Sequence, residues 1–380
     1  MARRLKLMVV SNDLLVGGVQ RNIVGYFRGL DTERFDPHLV LVCEGGPLLE
    51  QVSDLGVDAR VVRGIAKLGP VKWIRPGRVN RLATLMRDLE IDVVQTRLFL
   101  GNTIGRRAAA KAGVPVVVAA EHSTYFAKTF LHMWIDRRLA GSCRRIVAVS
   151  ETVKKFTVEQ EGLDPGMFTV IHNGLDMSPF DNARPGEEMR SELGIPAGAH
   201  VLFSAARLIP EKGYAEFMGT LALLAQRLPD VLFVLAGHGP DREAIEKAAG
   251  DYGVGDKLLM LGERNDVPDL LQMADLFVLP SRREGLPTAV IEALAAGCPP
   301  VCNAIPQAAE VVDHGIDGLL VDFSDREGAA EAILGLLSDG ETRRSMSALG
   351  RDKVRERFTL ERMVGSYMDL YEELFAMTPA

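Results

Sequence analysis

Apolar residues fall along this chain in short continuous runs of about four to eight, separated by stretches in which apolar positions recur every three or four residues. A strand with one face in water alternates apolar and polar side chains, whereas a strand covered on both faces does not. The runs 5–10, 38–43, 59–62, 91–95, 115–119, 145–149 and 168–171 are of the second kind. So are 200–205, 231–236, 258–261, 275–279, 299–302 and 318–321. With helical segments between them they predict repeated strand–helix–strand units, hence parallel sheets and an α/β fold.

The rhythm breaks once. Residues 174–199 are rich in Gly, Pro and Asp and hold one short helix before a fresh run opens at His200. A linker there divides the 380 residues into two doubly wound, Rossmann-like domains, 1–180 and 181–358, expected to face each other across a cleft. Ligands on such sheets bind beyond the carboxyl ends of the strands, near helix N-termini. The first run stops after a few residues at Ser11-Asn12-Asp13, so it reads as a strand rather than a leader. No stretch is long and apolar enough to predict a membrane-spanning helix.

Charge changes this picture more than composition does. The formal net charge is −7, but residues 1–180 carry 25 Lys and Arg against 18 Asp and Glu, and the rest carry 19 against 33. The basic excess gathers around Arg60, Arg63, Lys67, Lys72, Arg75, Arg78 and Arg81. It is either a set of solvated helix faces or a surface that meets an anionic partner, such as a membrane or a phosphorylated acceptor. Trp73 and Ile74 in segment 64–80 would dock on a membrane interface in the second reading and pack under a loop in the first. No nucleic-acid-binding motif accompanies the charge. The four cysteines, Cys43, Cys143, Cys298 and Cys302, lack the paired spacing of a zinc site, and read as buried thiols of a reduced, cytoplasmic protein.

Five loops after predicted strands carry candidate chemistry. Gly17 and Gly18 open a helix after the first strand, either as a plain turn or to let backbone N–H groups approach an anion. Arg207 and Lys212 follow the strand 200–205; two cations at one strand end suit a diphosphate whose charge grows as it leaves. Gly237-His238-Gly239 marks a tight turn and little more. His122 stands just past the apolar strand 115–119. The most informative loop runs from Pro280 to Gly297. Glu284 precedes a helix expected to begin near Pro287, and Glu292 lies just over one turn inside it. The N–H groups of Gly285, Leu286 and Thr288, on either side of Pro287, bracket the helix start, where an anion is favoured. A carboxylate in such a place can accept both hydroxyls of a ribose.

Taken together these loops resemble glycosyltransferase family 4, the retaining GT-B enzymes, over nearly the whole chain. The segments that carry the resemblance are VIHNGLD (170–176), RLIPEKG (207–213), GHGPDRE (237–243), ADLFVLPS (274–281), the E-x7-E pair Glu284 and Glu292 within EGLPTAVIEALAAG, and AEVVDHGIDGLLV (309–321) with Glu310 at its acidic position. The resemblance implies that Glu292 binds the ribose, that Glu284 contacts the donor sugar, and that Arg207 and Lys212 hold the diphosphate. It also implies that Gly17 and Gly18 approach the phosphate or sugar and that His122 sits beside the anomeric carbon. The base would lie against the backbone at Arg264 and Asn265, and a final helix in 359–380 would cross back to the first domain. Gly285-Leu286 stand where Phe-Gly is common, and Ile305 to Ala309 replace a usual glycine pair. Both departures fall at the sugar end of the donor.

The expected function is therefore retaining transfer of a hexose-type sugar from a nucleotide-diphosphate sugar, UDP-linked before GDP-linked, to a hydroxyl of a glycan, lipid-linked or small-molecule acceptor in cell-surface polysaccharide or glycolipid synthesis. No cofactor is called for, the nucleotide-sugar being a substrate, and without an Asp-x-Asp no metal is expected. A peripheral contact with an anionic membrane from the cytoplasmic side is one expectation. A non-catalytic nucleotide-sugar binder and a GT-B-shaped epimerase are the competing readings.

Overall fold

The computed structural model describes residues 3–15, 17–62, 76–122 and 130–378, with the backbone alone at Pro76 and at 130–132. The basic segment around Trp73 lies outside the described residues. The chain forms two units, residues 1–175 with 360–380, and residues 176–359. Described helices include none long and apolar enough to cross a membrane.

The first unit holds a seven-stranded sheet: β1 (Leu5–Ser11), β2 (Phe35–Leu41), β3 (Asp58–Val61), β4 (Val93–Arg97), β5 (Val116–Glu121), β6 (Arg145–Ala148) and β7 (Phe168–Val170). The order is β3-β2-β1-β4-β5-β6-β7 and every pairing is parallel. The second unit holds β8 (His200–Ala205), β9 (Val231–Ala236), β10 (Leu258–Gly262), β11 (Leu276–Leu279), β12 (Pro300–Asn303) and β13 (Leu319–Val321), all parallel in the order β10-β9-β8-β11-β12-β13. Each predicted apolar run is a strand. The central ones are buried on both faces, which is why their sequences do not alternate.

In both sheets the strand order reverses beside the first strand, at β1/β4 and β8/β11. Successive helices pass to opposite faces there, and the loops at the carboxyl edge splay apart and leave room for a ligand.

The final helix, Leu360–Ala376, is part of the first unit's core. Leu360, Met363, Val364, Tyr367, Tyr371 and Leu374 recur at helical spacing and are buried. They cover the same sheet face as helix Gly18–Gly29, each fully buried side chain contributing about 1.5–3 kcal/mol. Gly25 and Gly29 let the two helices close up: a Cβ there would lie 3.1 Å from Leu360 and 3.1 Å from Val364. The Arg34 guanidinium donates to both oxygens of Glu372 at 3.0 and 2.7 Å. Leu360 N–H donates to the Leu175 carbonyl at 2.9 Å, where the chain re-enters this unit.

Candidate active site

In the second unit the carboxyl edge of the sheet gathers the loops after β8, β9, β10, β11 and β12. Parallel strands deliver every following loop to one edge, so residues far apart in sequence meet there.

The loops after β8 and β11 are bound to each other. Arg282 N–H donates to the Glu211 carbonyl at 2.9 Å, and the Arg282 guanidinium donates to the Pro210 carbonyl at 2.6 Å and to Glu216 at 2.7 Å. Gly213 has φ +73°, and a Cβ on it would sit 2.5 Å from the Pro280 carbonyl oxygen; only glycine serves both demands. This clamp brings the Lys212 ammonium to 2.6 Å from Glu284 Oε1, with the two side chains 16% and 11% exposed. Arg207, on the same loop, is exposed.

The loop after β9 braces the one after β8 from its other side. Gly237 has φ +148°, and a Cβ there would lie 1.9 Å from the Ala206 carbonyl oxygen; one on Gly239 would lie 2.1 Å from that of Leu208. Leu208 N–H donates to the His238 carbonyl and Asp241 N–H to the Leu208 carbonyl, both at 3.0 Å. The two glycines are therefore demanded by loop-on-loop packing.

Helix Thr288–Ala296 follows, with Pro287 at its N-cap and a left-handed Gly297 closing it. Every residue of this helix is buried except Thr288, Ala289 and Glu292, which are partly exposed. At 100° per residue those three share one face, so Glu292 is the carboxylate of a narrow open strip that starts at the helix N-terminus. Gly285 is partly exposed, and Leu286 and Pro287 are buried beneath the strip. After β10, Arg264 is held by the Asp266 carboxylate with N–H to oxygen 2.8 Å and lies near Glu192, while Asn265 is exposed. Glu310 caps the short helix Pro306–Ala309 after β12.

Sequence reasoning passed over three features of this edge. Tyr214 is fully buried and shares a 2.7 Å hydrogen bond with Ser204; burial, offset only in part by that bond, raises its hydroxyl above the usual range. Ser281 is fully buried, and its hydroxyl has no partner among the described residues. Arg282 is the clamp already described. Their one signal is position, since each lies within a few residues of a strand's carboxyl end.

In the first unit, helix Gly18–Gly29 begins with no side-chain cap and no acidic residue in its first turn. A Cβ on Gly18 would meet nothing within 4 Å, so packing does not require glycine there. His122 follows β5. It is partly exposed as a residue, yet both ring nitrogens are shut off from water and have no hydrogen-bond partner among the described residues. That burial, with the Arg97 charge adding to it, pushes the imidazole down to about 3, so the ring is neutral at physiological pH. Arg97 itself is fully buried at the end of β4.

Two parallel α/β units, each with its polar side chains at the carboxyl edge of a central sheet, define the GT-B class of glycosyltransferases. Residues 186–353 match the family described as Glycosyl transferases group 1, and residues 16–178 the family described as Glycosyltransferase Family 4. The chain belongs to glycosyltransferase family 4, and is an enzyme that draws on nucleotide-sugar donors. It is 29% identical over 385 residues to the Escherichia coli UDP-Gal:alpha-D-GlcNAc-diphosphoundecaprenol alpha-1,3-galactosyltransferase, covering 98% of this chain and 97% of the relative. It is 26% identical to the putative glycosyltransferase EpsF of Bacillus subtilis, with 96% of each chain covered. The fold superposes on Anabaena HepE, solved in complex with UDP, with a TM-score of 0.85 and 19% identity, covering 97% of this chain and 100% of that one.

Proposed function

We infer that the protein is a retaining, metal-independent hexosyltransferase that moves a sugar from a UDP-linked donor to an acceptor hydroxyl in the synthesis of a cell-surface polysaccharide or glycolipid. The observation that carries this reading is the Lys212–Glu284 pair, 2.6 Å apart on two clamped loops, with Arg207 on the same loop as Lys212 and Glu292 on the open strip that follows Glu284. An anionic diphosphate at this edge competes with Glu284 for the Lys212 ammonium. When it wins, Lys212 and Arg207 neutralise the leaving group, and the released Glu284 accepts hydroxyls of the sugar. Glu292 accepts the ribose diol, and the base lies against the backbone at Arg264 and Asn265. From the first unit, Gly17 and Gly18 approach the donor and a neutral His122 hydrogen-bonds the sugar.

In the front-face step the bond from the anomeric carbon to the diphosphate oxygen breaks, and the bond to the acceptor oxygen forms on the same face. The acceptor proton passes to the departing phosphate oxygen. Negative charge grows on the departing diphosphate as positive charge grows at the anomeric carbon, and Lys212 and Arg207 at the diphosphate do the work otherwise given to a metal ion. The preference for UDP and for a glycan or lipid-linked acceptor is supported by the E. coli relative, which aligns over nearly the full length and is named for a UDP-hexose and a diphosphate-linked sugar.

Incubating the purified protein with UDP- and GDP-hexoses without added metal, and following the anomeric proton by NMR, tests this. Transfer, or slow hydrolysis of a UDP-hexose with the α-configuration kept, is expected. Interconversion of donor epimers would mark an epimerase, binding without turnover a non-catalytic binder, and an inverted product or a strict metal requirement would overturn the mechanism.

A further inference from the structure

Helix Thr288–Ala296 starts at the donor edge and bears Glu292. Its other end reaches the opposite, amino edge of the second sheet, where β12 begins at Pro300. There a groove with a cavity volume of about 480 Å³ opens between Ala296 and Gly297, at the end of that helix, and the helix Gly340–Arg357. The second helix lines it with Arg344, Ser347, Ala348, Arg351, Asp352 and Arg355. None of these residues belongs to the donor edge.

The three arginines are the anomaly. At 100° per residue, positions 344, 351 and 355 fall within about 40° of one another, so one helix face turns three guanidinium groups to the groove. Like charges at i and i+4, as at 351 and 355, repel and weaken a helix. Architecture asks for one cation here. The carbonyl end of helix Thr288–Ala296 favours a positive charge, and Arg351 supplies it: a Cβ on Gly297 would lie 3.2 Å from Arg351 Cδ. The two helices are held close without any charge, since a Cβ on Gly350 would lie 2.7 Å from Leu294. The carboxylates present do not match three guanidinium groups. One oxygen of Asp181, in the short helix Ser178–Asp181, serves two of them, 2.8 Å from Arg355 and 3.7 Å from Arg351. Arg351 Nε is shut off from water and has no hydrogen-bond partner among the described residues. Arg344 is exposed, and no carboxylate among the described residues pairs with it. Asp352 is exposed and stands to one side of the arginine face.

We propose that this groove is a second ligand site, for a small phosphate monoester such as a sugar phosphate, and that its occupancy changes the affinity of the donor edge for UDP. The phosphate takes over from Asp181 as the partner of Arg351 and Arg355, and the sugar lies along Ser347 and Ala348 toward Arg344. The volume is that of a small-molecule site, and the guanidinium fork matches a phosphate in bidentate fashion. Arg351 is both a partner of this ligand and the cation at the end of the helix that bears Glu292. That helix is nine residues long, or about 14 Å. A ligand that draws on Arg351 therefore acts on the element that carries the open strip of the donor edge, and UDP changes the affinity of the groove by the same factor in return. The coupling rests on the reading of the donor edge given above; the site itself does not.

The test is calorimetric titration of the full chain with glucose 6-phosphate, and with glucose as its neutral control, at saturating UDP so that Arg207 and Lys212 are already engaged. Glucose 6-phosphate should bind and glucose should not. Arg344→Gln, at an exposed position, should weaken binding about threefold at an unchanged melting temperature, and Arg351→Gln with Arg355→Gln should weaken it about tenfold or more. Asp181→Asn removes the competing carboxylate and should tighten binding about two- to fivefold, which a merely structural carboxylate would not do. Absence of binding in the wild type, or binding unchanged in both Arg344→Gln and Asp181→Asn, would overturn the site. So would retention of the protein on vesicles containing phosphatidic acid in place of binding to the soluble phosphate. The UDP dissociation constant, measured with and without glucose 6-phosphate, should differ by about fivefold or more in the wild type and not in Arg351→Gln; an unchanged constant in the wild type would overturn the coupling. Should the chain bind no UDP at all, the donor reading fails, while the same titration without UDP still decides whether the groove is a site.

Discussion

Glu284 and Glu292 lie eight residues apart in sequence but in unlike settings. Glu284 is tied to Lys212 across two loops, while Glu292 belongs to the open strip of a helix that is otherwise buried. Removing one partner of the first pair leaves the other charge largely out of water, which costs more than removing both. Lys212→Met should therefore destabilise the second unit more than Lys212→Met with Glu284→Gln does, and both should lower turnover by about 100- to 1,000-fold. Urea midpoints and kcat measured on the same samples check this, and additive midpoints would mean that the two side chains do not interact. His122 gives a pH test. Its imidazole titrates near 3 when folded and near 6.5 when unfolded, so the unfolded chain takes up the proton first as pH falls. The stabilisation is complete above about pH 6.5 and is lost progressively toward 3, about 3 kcal/mol of it by pH 4.5. His122→Gln should show a shallower fall in stability between pH 7 and 4.5; equal slopes would mean that the ring is not held neutral. The carboxylates, both loop cations and His122 were legible because each stands within a few residues of an apolar run. Arg97 was not singled out, although Gln95-Thr96-Arg97 is a polar run ending a buried strand. Sequence alone gives no reason to expect that a cation there has no carboxylate partner among the described residues.

At the level of elements, identical residues do different work. Gly237 is required by packing, because any side chain would strike the Ala206 carbonyl, whereas Gly18 faces open space. Gly237→Ala should displace the loop that carries Arg207 and Lys212, lowering both the melting temperature and donor affinity. Gly18→Ala should leave the melting temperature unchanged or slightly higher, since alanine favours the helix, and should raise the donor KM. A Gly18→Ala enzyme with unchanged KM would remove that glycine from the donor site. The strands were readable throughout because burial on both faces leaves unbroken apolar runs, and the parallel pairing followed from the helices between them. Which loops touch which was not readable. The clamp of Arg282 on Pro210 and the backing of one loop by Gly237 and Gly239 arise from strand order, and the order β9-β8-β11 has no local signature in the chain.

For the whole molecule, chain order and structural unit part company. The first unit is closed by the last helix, whose Tyr367 and Tyr371 pack with Tyr26 from the first: Tyr26 and Tyr367 meet edge to face at 5.6 Å, and the hydroxyls of Tyr26 and Tyr371 lie 3.2 Å apart. The second unit, 176–359, is by contrast continuous in sequence and carries its own core and the loops of Arg207, Lys212, Arg264, Glu284 and Glu292. Ending the chain after Thr359 would strip a helix from one face of the first sheet and expose the apolar side chains under it, a loss larger than the usual stability of a domain. Scanning calorimetry of that truncated chain should show the transition of the first unit abolished. The transition of the second unit should persist and still shift upward with UDP, because a ligand stabilises the fold that binds it. Survival of both transitions would mean that the final helix is dispensable. Loss of the UDP-dependent one would mean that the nucleotide site needs the first unit to form.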